Sequence, residues 1–323
     1  MKRTLVILTV VLLVQLGLGV AFFVAGQQPT TVKGEATLLT FSPDQVDELA
    51  VVGPQGEQVT LKKTTAGWVL PEHFSAAADS AKVEALLQEL CGLKRPWPVA
   101  QTAASDKRFK VSAEDFDRKL VFSADGKQLA ELLIGSSPGF RKVHARLASE
   151  EQVYDIPFSA YQAGLKAGEW LNRDVLQLPK ENISGLELPG LKLTRKDGAW
   201  QLDPPLEKGK IDPQQVDQLV NLLANLKITD VAGKADPSRL DQATLQLSLQ
   251  LDGGKSRHYA FFTPGDDKAA AALLQVDGFD RQFQVDKDLI GKLKAFDRQH
   301  LMLKSTAPAH EQAASPSAED TMK

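Results

Sequence analysis

Two hydrophobic rhythms and one unbroken apolar run organise this chain. From Leu5 to Ala25 almost every position is apolar, interrupted by little more than Thr9, Gln15 and a few glycines. About 21 such residues is the length a helix needs to cross the hydrocarbon core of a bilayer, so residues 4–25 are predicted to be a single transmembrane anchor. Lys2 and Arg3 precede the run, and basic flanks stay in the cytoplasm. The expectation is a single-pass protein of the inner (cytoplasmic) membrane, N-terminus cytoplasmic and bulk extracytoplasmic. Val24-Ala25-Gly26 leaves signal-peptide cleavage open as the alternative. Residues 1–26 are read as cytoplasmic tip and anchor, and the polar stretch 27–40 as a spacer.

Beyond the spacer, short runs of period two alternate with stripes of helical period. Residues 47–52 and 58–63 predict strands around the turn Gly53-Pro54-Gln55-Gly56, and Gly67 to Leu70 a third. Asp79 is placed to cap a helix whose apolar positions are Val83, Leu86, Leu87, Leu90 and Leu93. Further strands are predicted over 119–123, 129–134, 142–147 and 152–155, with Asp125-Gly126 as a hairpin turn.

The same order then recurs. Val59 to Leu70 (VTLKKTTAGWVL) is echoed by Leu191 to Leu202 (LKLTRKDGAWQL), and Ala78 to Leu87 by Ile211 to Val220. Strands are predicted over 183–188, 191–196, 198–202, 271–276 and 282–285, and Leu245, Leu247, Leu249 and Leu251 alternate as a half-buried strand. Asp212 caps the second helix, with Pro213 at its first position. Val216, Leu219, Val220, Leu223 and Leu226 form its stripe, and residues 289–296 predict a closing helix. A period this long signals a duplicated unit. The expected fold is α+β: a transmembrane helix, then two tandem repeats of mostly antiparallel strands, each packed on one amphipathic helix. The repeats are placed at 41–168 and 183–304, with a junction at 169–182. Residues 305–323, rich in Ala, Ser, Pro and charge, read as a disordered tail.

Composition narrows the function classes. A formal net charge of -3 with 38 basic and 41 acidic residues gives no electrostatic reason to expect nucleic acid, which asks for a clustered basic face. The single cysteine, Cys91, rules out a disulfide framework within the chain and reads as a small buried hydrophobe. One string looks catalytic: Gly135-Ser136-Ser137-Pro138-Gly139 satisfies G-x-S-x-G, and His144 or His258 is a nominal base. A nucleophile elbow needs a helix after the serine. Here Phe140 to Leu147 alternates like a strand, and Thr263-Pro264-Gly265-Asp266 in the second repeat lacks the serine. A β-turn is therefore expected, with Ser137 as a remote hydrolase candidate. The five histidines, at 73, 144, 258, 300 and 310, show no metal-ligand spacing. The carboxylate pairs Glu114-Asp115 and Asp266-Asp267 read as solvated surface. No catalytic residue, cofactor or metal ligand is assigned.

Three aromatic features remain. Trp68 and Trp200, at matching repeat positions, either supply each copy with a core aromatic or line a groove for a glycan or peptide. Trp170 and Arg173 either lock the copies together or form a recognition site. Lys94-Arg95-Pro96-Trp97-Pro98 reads as a helix-terminating loop, with contact to a partner or headgroups as the other reading.

Lys62 to Leu70, Ala78 to Leu87 and Trp170-Leu171-Asn172-Arg173-Asp174, together with the single N-terminal anchor, resemble the bacterial family named domain of unknown function 4340, over roughly residues 41–300. The resemblance implies a membrane-anchored envelope protein, often encoded beside gliding-motility-type ABC transporter components, and supplies no catalytic residues. The expected function is a non-enzymatic accessory or scaffold subunit of a membrane complex, with ABC transporter subunits as partners. The alternative is an extracytoplasmic binding module for a glycan, peptide or lipid.

Overall fold

The computed structural model describes residue 15 and residues 36–205, 210–263 and 271–303. The predicted anchor, apart from Gln15, and the predicted tail lie outside the described residues, as does Asp266-Asp267. Among the described residues no helix is long and apolar enough to cross a membrane. The chain divides into two compact units, Met1–Asn172 and Arg173–Lys323.

The first unit is an α+β body on one antiparallel sheet. Its strands are β1 (Glu48–Val52), β2 (Gln58–Thr64), β3 (Gly67–Leu70), β4 (Ala76–Ala77), β5 (Arg118–Ala124), β6 (Lys127–Ile134), β7 (Val143–Leu147) and β8 (Val153–Ile156). They lie in the order β4-β3-β2-β1-β5-β6-β7-β8. Helix α1 (Ser80–Gly92) starts where Asp79 accepts a hydrogen bond from the Lys82 N–H at 3.0 Å, filling one of the helix's orphan donors. Its stripe, Val83, Leu86, Leu87, Leu90 and the capping Leu93, is buried, and α1 packs on β3. Leu49, Val51, Leu61, Leu120 and Phe122 are fully buried on the strands. The Asp125-Gly126 turn joins β5 to β6 with φ of 50° and 73°, the left-handed pair such a two-residue turn requires.

Cys91 sits on the flank of the α1 stripe, and burial pushes its thiol up to about 11. A raised thiol favours the folded state up to the ordinary value of 9.0, and that contribution is lost as pH climbs toward 11. At pH 8, 5,5′-dithiobis(2-nitrobenzoate) is expected to leave the folded chain unmodified and to titrate one thiol after denaturation; rapid reaction of the folded chain would contradict this burial.

The second unit repeats the plan with β9 (Ile183–Leu188), β10 (Leu191–Lys196), β11 (Ala199–Leu202), β12 (Asp230–Lys234), β13 (Leu245–Leu251), β14 (Lys255–Phe262), β15 (Ala271–Val276) and β16 (Arg281–Asp286). The order is β11-β10-β9-β13-β14-β15-β16-β12. Helix α3 (Pro213–Ala224) is capped by Asp212, which accepts from the Gln214 N–H at 2.9 Å, and its predicted stripe is buried.

The repeat extends to single hydrogen bonds. In the first unit the Asp79 N–H donates to the Trp170 carbonyl at 2.7 Å and the Asn172 N–H to the Ala77 carbonyl at 2.9 Å. In the second, the Asp212 N–H donates to the Leu301 carbonyl at 2.8 Å and the Leu303 N–H to the Lys210 carbonyl at 3.0 Å. Each unit thus lays a strip of later residues, 170–172 in the first and 301–303 in the second, beside the cap of its own helix. Trp170 and Leu301 are equivalent, both with no exposed surface.

The structure adds to the predicted elements. Each unit carries a second, short helix: α2 (Ala103–Phe109) in the first, which was not predicted, and α4 (Asp288–Lys294) in the second, which falls on the predicted closing helix. Helix α2 has no buried stripe, and its marks are the Thr102 cap and Lys110 in the left-handed conformation at its end. Strands β4, β12 and β14 were not predicted. Residues 255–262 run from polar to wholly apolar and lack the alternation that identifies a half-buried strand.

Candidate functional site

Strand register identifies equivalent positions on the outward faces of the two sheets. In the first unit Leu133, Arg146 and Val153 form one row across β6, β7 and β8. In the second, Ala260, Gln275 and Gln282 form the corresponding row across β14, β15 and β16. The first row is covered by the chain itself. Val111 and Phe116 join Leu133 and Val153 in a small second core, with Phe109 at the end of α2 packed against it. Arg146 fastens this cover: its Nε donates to the Val111 carbonyl at 2.8 Å and lies 3.6 Å from Asp106 on α2.

The catalytic-looking string belongs to the same cover. The Gly135 N–H donates to the His144 carbonyl at 2.9 Å, so Gly135 continues the β6–β7 pairing. Ser136 donates to the Phe109 carbonyl through both its N–H, at 2.9 Å, and its hydroxyl, at 3.2 Å. The Ser137 hydroxyl lies 2.7 Å from the carbonyl oxygens of both Gly139 and Lys142, and accepts from the Gly139 N–H at 3.3 Å. A hydroxyl with its proton directed at backbone carbonyls fastens a turn and is not poised as a nucleophile. His144 is buried under the Phe109 ring, 4.2 Å between centroids, with Nδ1 2.6 Å from Asp155 Oδ1 but out of line for a hydrogen bond. His258 belongs to the second unit. Ser137→Ala is expected to cost about 1 kcal/mol in thermal unfolding, and the parent chain to resist a serine-directed fluorophosphonate. Covalent labelling of Ser137 would restore the hydrolase reading.

In the second unit the corresponding row is buried as well, and among the described residues a hollow lies beside it. That row is polar: Gln275, 5% exposed, is oriented so that its amide donates to the Asp236 carbonyl at 3.1 Å and accepts from the Asp236 N–H at 3.2 Å and from Gln282 at 3.2 Å. It holds the 3-10 turn Pro237–Gln242 at the rim, as Arg146 holds α2. Beside it Glu187, Ser248 and His258 align across β9, β13 and β14. These residues floor a hollow of about 800 Å³, rimmed by Leu240, Asp277 and Phe279. His258 Nε2 is 4.0 Å from Asp277 Oδ2, both side chains 60% exposed. Two carboxylates, neutral hydrogen-bonding groups and an apolar edge suit a partner that brings donors, cations and some apolar surface. Among the described residues no group of histidine, cysteine and carboxylate side chains is arranged to hold a metal ion.

Sequence reasoning did not single out this hollow. The available signal was the outward register of β13, where Gln246, Ser248 and Gln250 replace the charges usual on a solvated face. The paired tryptophans sit in different surroundings. Trp68 is 1% exposed and structural. Trp200 is half-buried and lines a smaller hollow of about 470 Å³ with Arg195 and the Lys180–Asp217 ion pair. Trp170 is a core residue of the first unit: its Nε1 donates to the Gly164 carbonyl at 2.9 Å, and Lys82 Nζ lies 4.8 Å above its ring. Arg173 offers its carbonyl to the Ile228 N–H at 3.0 Å within the second unit.

Comparison with curated proteins gives no match, and comparison with solved structures gives none either. The family model described as Domain of unknown function (DUF4340) matches residues 68–246, from the Trp68 strand of the first unit into β13 of the second. That match covers more than half of the chain, and with the duplicated sheets and caps described above it makes this protein a member of the DUF4340 family.

Proposed function

We propose that this protein is a non-enzymatic, membrane-anchored envelope protein that serves as an accessory or scaffold subunit of a membrane complex, docking its partner at the hollow on the outward face of the second sheet. The observation that carries the reading is the difference between the two outward faces. In one copy the row lies under a helix and a second core, whereas in the other two glutamines occupy the row against a 3-10 turn and, among the described residues, a hollow with two carboxylates and an apolar rim lies beside it. A duplicated scaffold that fills this face in one copy and keeps a hollow on it in the other is suited to holding something there. The family resemblance makes ABC transporter subunits the partner class to look for.

Affinity-tagged full chain solubilised in mild detergent from its own membranes is expected to bring down an integral membrane protein in fixed proportion. Recovery of the chain alone would count against the scaffold role. The second reading, a binding module for a glycan, is favoured by Trp200, whose half-exposed indole lies beside charged hydrogen-bonding groups. Saccharide-dependent protection of Trp200 from oxidation by N-bromosuccinimide, with no membrane protein recovered, would select it.

A further inference from the structure

The loop that follows α1 has the composition Lys94-Arg95-Pro96-Trp97-Pro98-Val99, and its largest side chain is turned outward. Trp97 is 79% exposed and Val99 47% exposed. Trp68 and Trp170, by contrast, are almost wholly buried. Pro96 and Pro98 flank Trp97 and restrict the backbone that presents the indole.

The position of the loop gives that display a direction. Thr37 pairs with Lys94, the Leu38 N–H donates to the Leu93 carbonyl at 2.8 Å, and the Arg95 N–H donates to the Ala36 carbonyl at 2.9 Å. Arg95 is also held from the other side by Glu150 at 2.7 Å. The loop is therefore fastened directly to the point where the chain enters the first unit. Residues 26–35, between the apolar run and that point, extend over about 35 Å at most.

We propose that the Trp97 loop is an interfacial foot: the indole rests among the lipid headgroups beside the anchor and fixes how the first unit stands on the membrane. This rests on the membrane-anchor reading above. An indole suits that layer because its ring is apolar while its N–H keeps a hydrogen-bond partner at the wet edge. The tether lets the loop reach the headgroup layer, and Pro98 and Val99 add apolar surface on the same loop.

The test uses the full chain in vesicles of phosphatidylcholine and phosphatidylglycerol, with bromine atoms near the top of the phosphatidylcholine acyl chains as the quencher. The anchor region holds no tryptophan, so emission comes only from positions 68, 97, 170 and 200. Emission of the parent is expected to fall in brominated vesicles, Trp97→Phe to remove that fall, and Trp200→Phe to keep it. A parent that is not quenched, or a Trp97→Phe variant quenched as strongly as the parent, overturns the foot and leaves the loop facing protein or solvent. Alkaline carbonate extraction separates the two ways of failing. Chain retained in the vesicles without quenching at Trp97 refutes the foot alone, whereas chain released by carbonate refutes the anchor and the foot with it.

Discussion

Gly135→Ala is expected to be far more damaging than one added methyl group suggests. A Cβ at this position would lie 2.0 Å from the Phe109 carbonyl oxygen and 2.3 Å from that of Lys110. Both are backbone atoms, so no side-chain rotation relieves the contact. Either α2 lifts from the sheet or the end of β6 leaves its pairing with β7. Lifting α2 breaks the Ser136 N–H bond to Phe109, moves Val111 from the small second core and withdraws the acceptor of Arg146. Overpacking costs about 1–3 kcal/mol by itself, and each buried donor left unpaired adds about 1–3 kcal/mol. A total near 3 kcal/mol or above is therefore expected, read as lost protection of amides at 103–116 in hydrogen exchange. Ser136→Ala, which keeps the backbone bond, should cost only about 1 kcal/mol. Equal protection in Gly135→Ala and parent would show that α2 is not held as described.

Trp170→Ala is the second large effect. The ring is wholly buried, its Nε1 is bonded to Gly164 and its backbone carbonyl receives the Asp79 N–H at the start of α1. Truncating a buried tryptophan costs about 3–5 kcal/mol. At about 1.4 kcal/mol per factor of ten, that speeds globally limited exchange in the first unit by about two to three and a half orders of magnitude. The indole also anchors the strip that closes the unit, so amides of β3, β4 and the first turn of α1 should lose protection together. Trp200→Ala, which removes a half-buried ring, is expected to cost less than about 2 kcal/mol. Equal cost at the two positions would contradict the assignment of Trp170 to the core and Trp200 to an open hollow.

The duplicated core was legible because its signals are local. The stripes from Val83 and Val216, the Asp79 and Asp212 caps and the alternating leucines of β13 each follow from spacing along a few residues, and all but Leu251, at the end of β13, occupy buried or capping positions. Helix α2 and strand β14 were not legible, because tertiary cover decides them: α2 has no apolar stripe, and β14 is buried at one end and exposed at the other. Trp170 was read as a junction because its repeat partner is Leu301, a substitution that hides the equivalence until the paired backbone hydrogen bonds reveal it. Gly135 and Ser137 were conspicuous as a motif, but the reason for the glycine, the close approach of the Phe109 and Lys110 carbonyls, is a contact across about 25 residues that spacing does not encode. The hollow was invisible for a related reason: Leu240, which precedes β13, and Gln275 and Phe279, on and after β15, line one hollow only once β13, β14 and β15 lie side by side.

The docking reading is tested most directly by placing a photo-activated cross-linking residue at Gln246, on the outward face of β13 within the hollow, and a second at Gln128, exposed on β6 of the first unit. In native membranes the full chain with the probe at Gln246 is expected to give one discrete adduct with an integral membrane protein, and the probe at Gln128 to give none. The same adduct from both positions, or adducts from neither, would contradict the hollow on the second sheet as the docking surface.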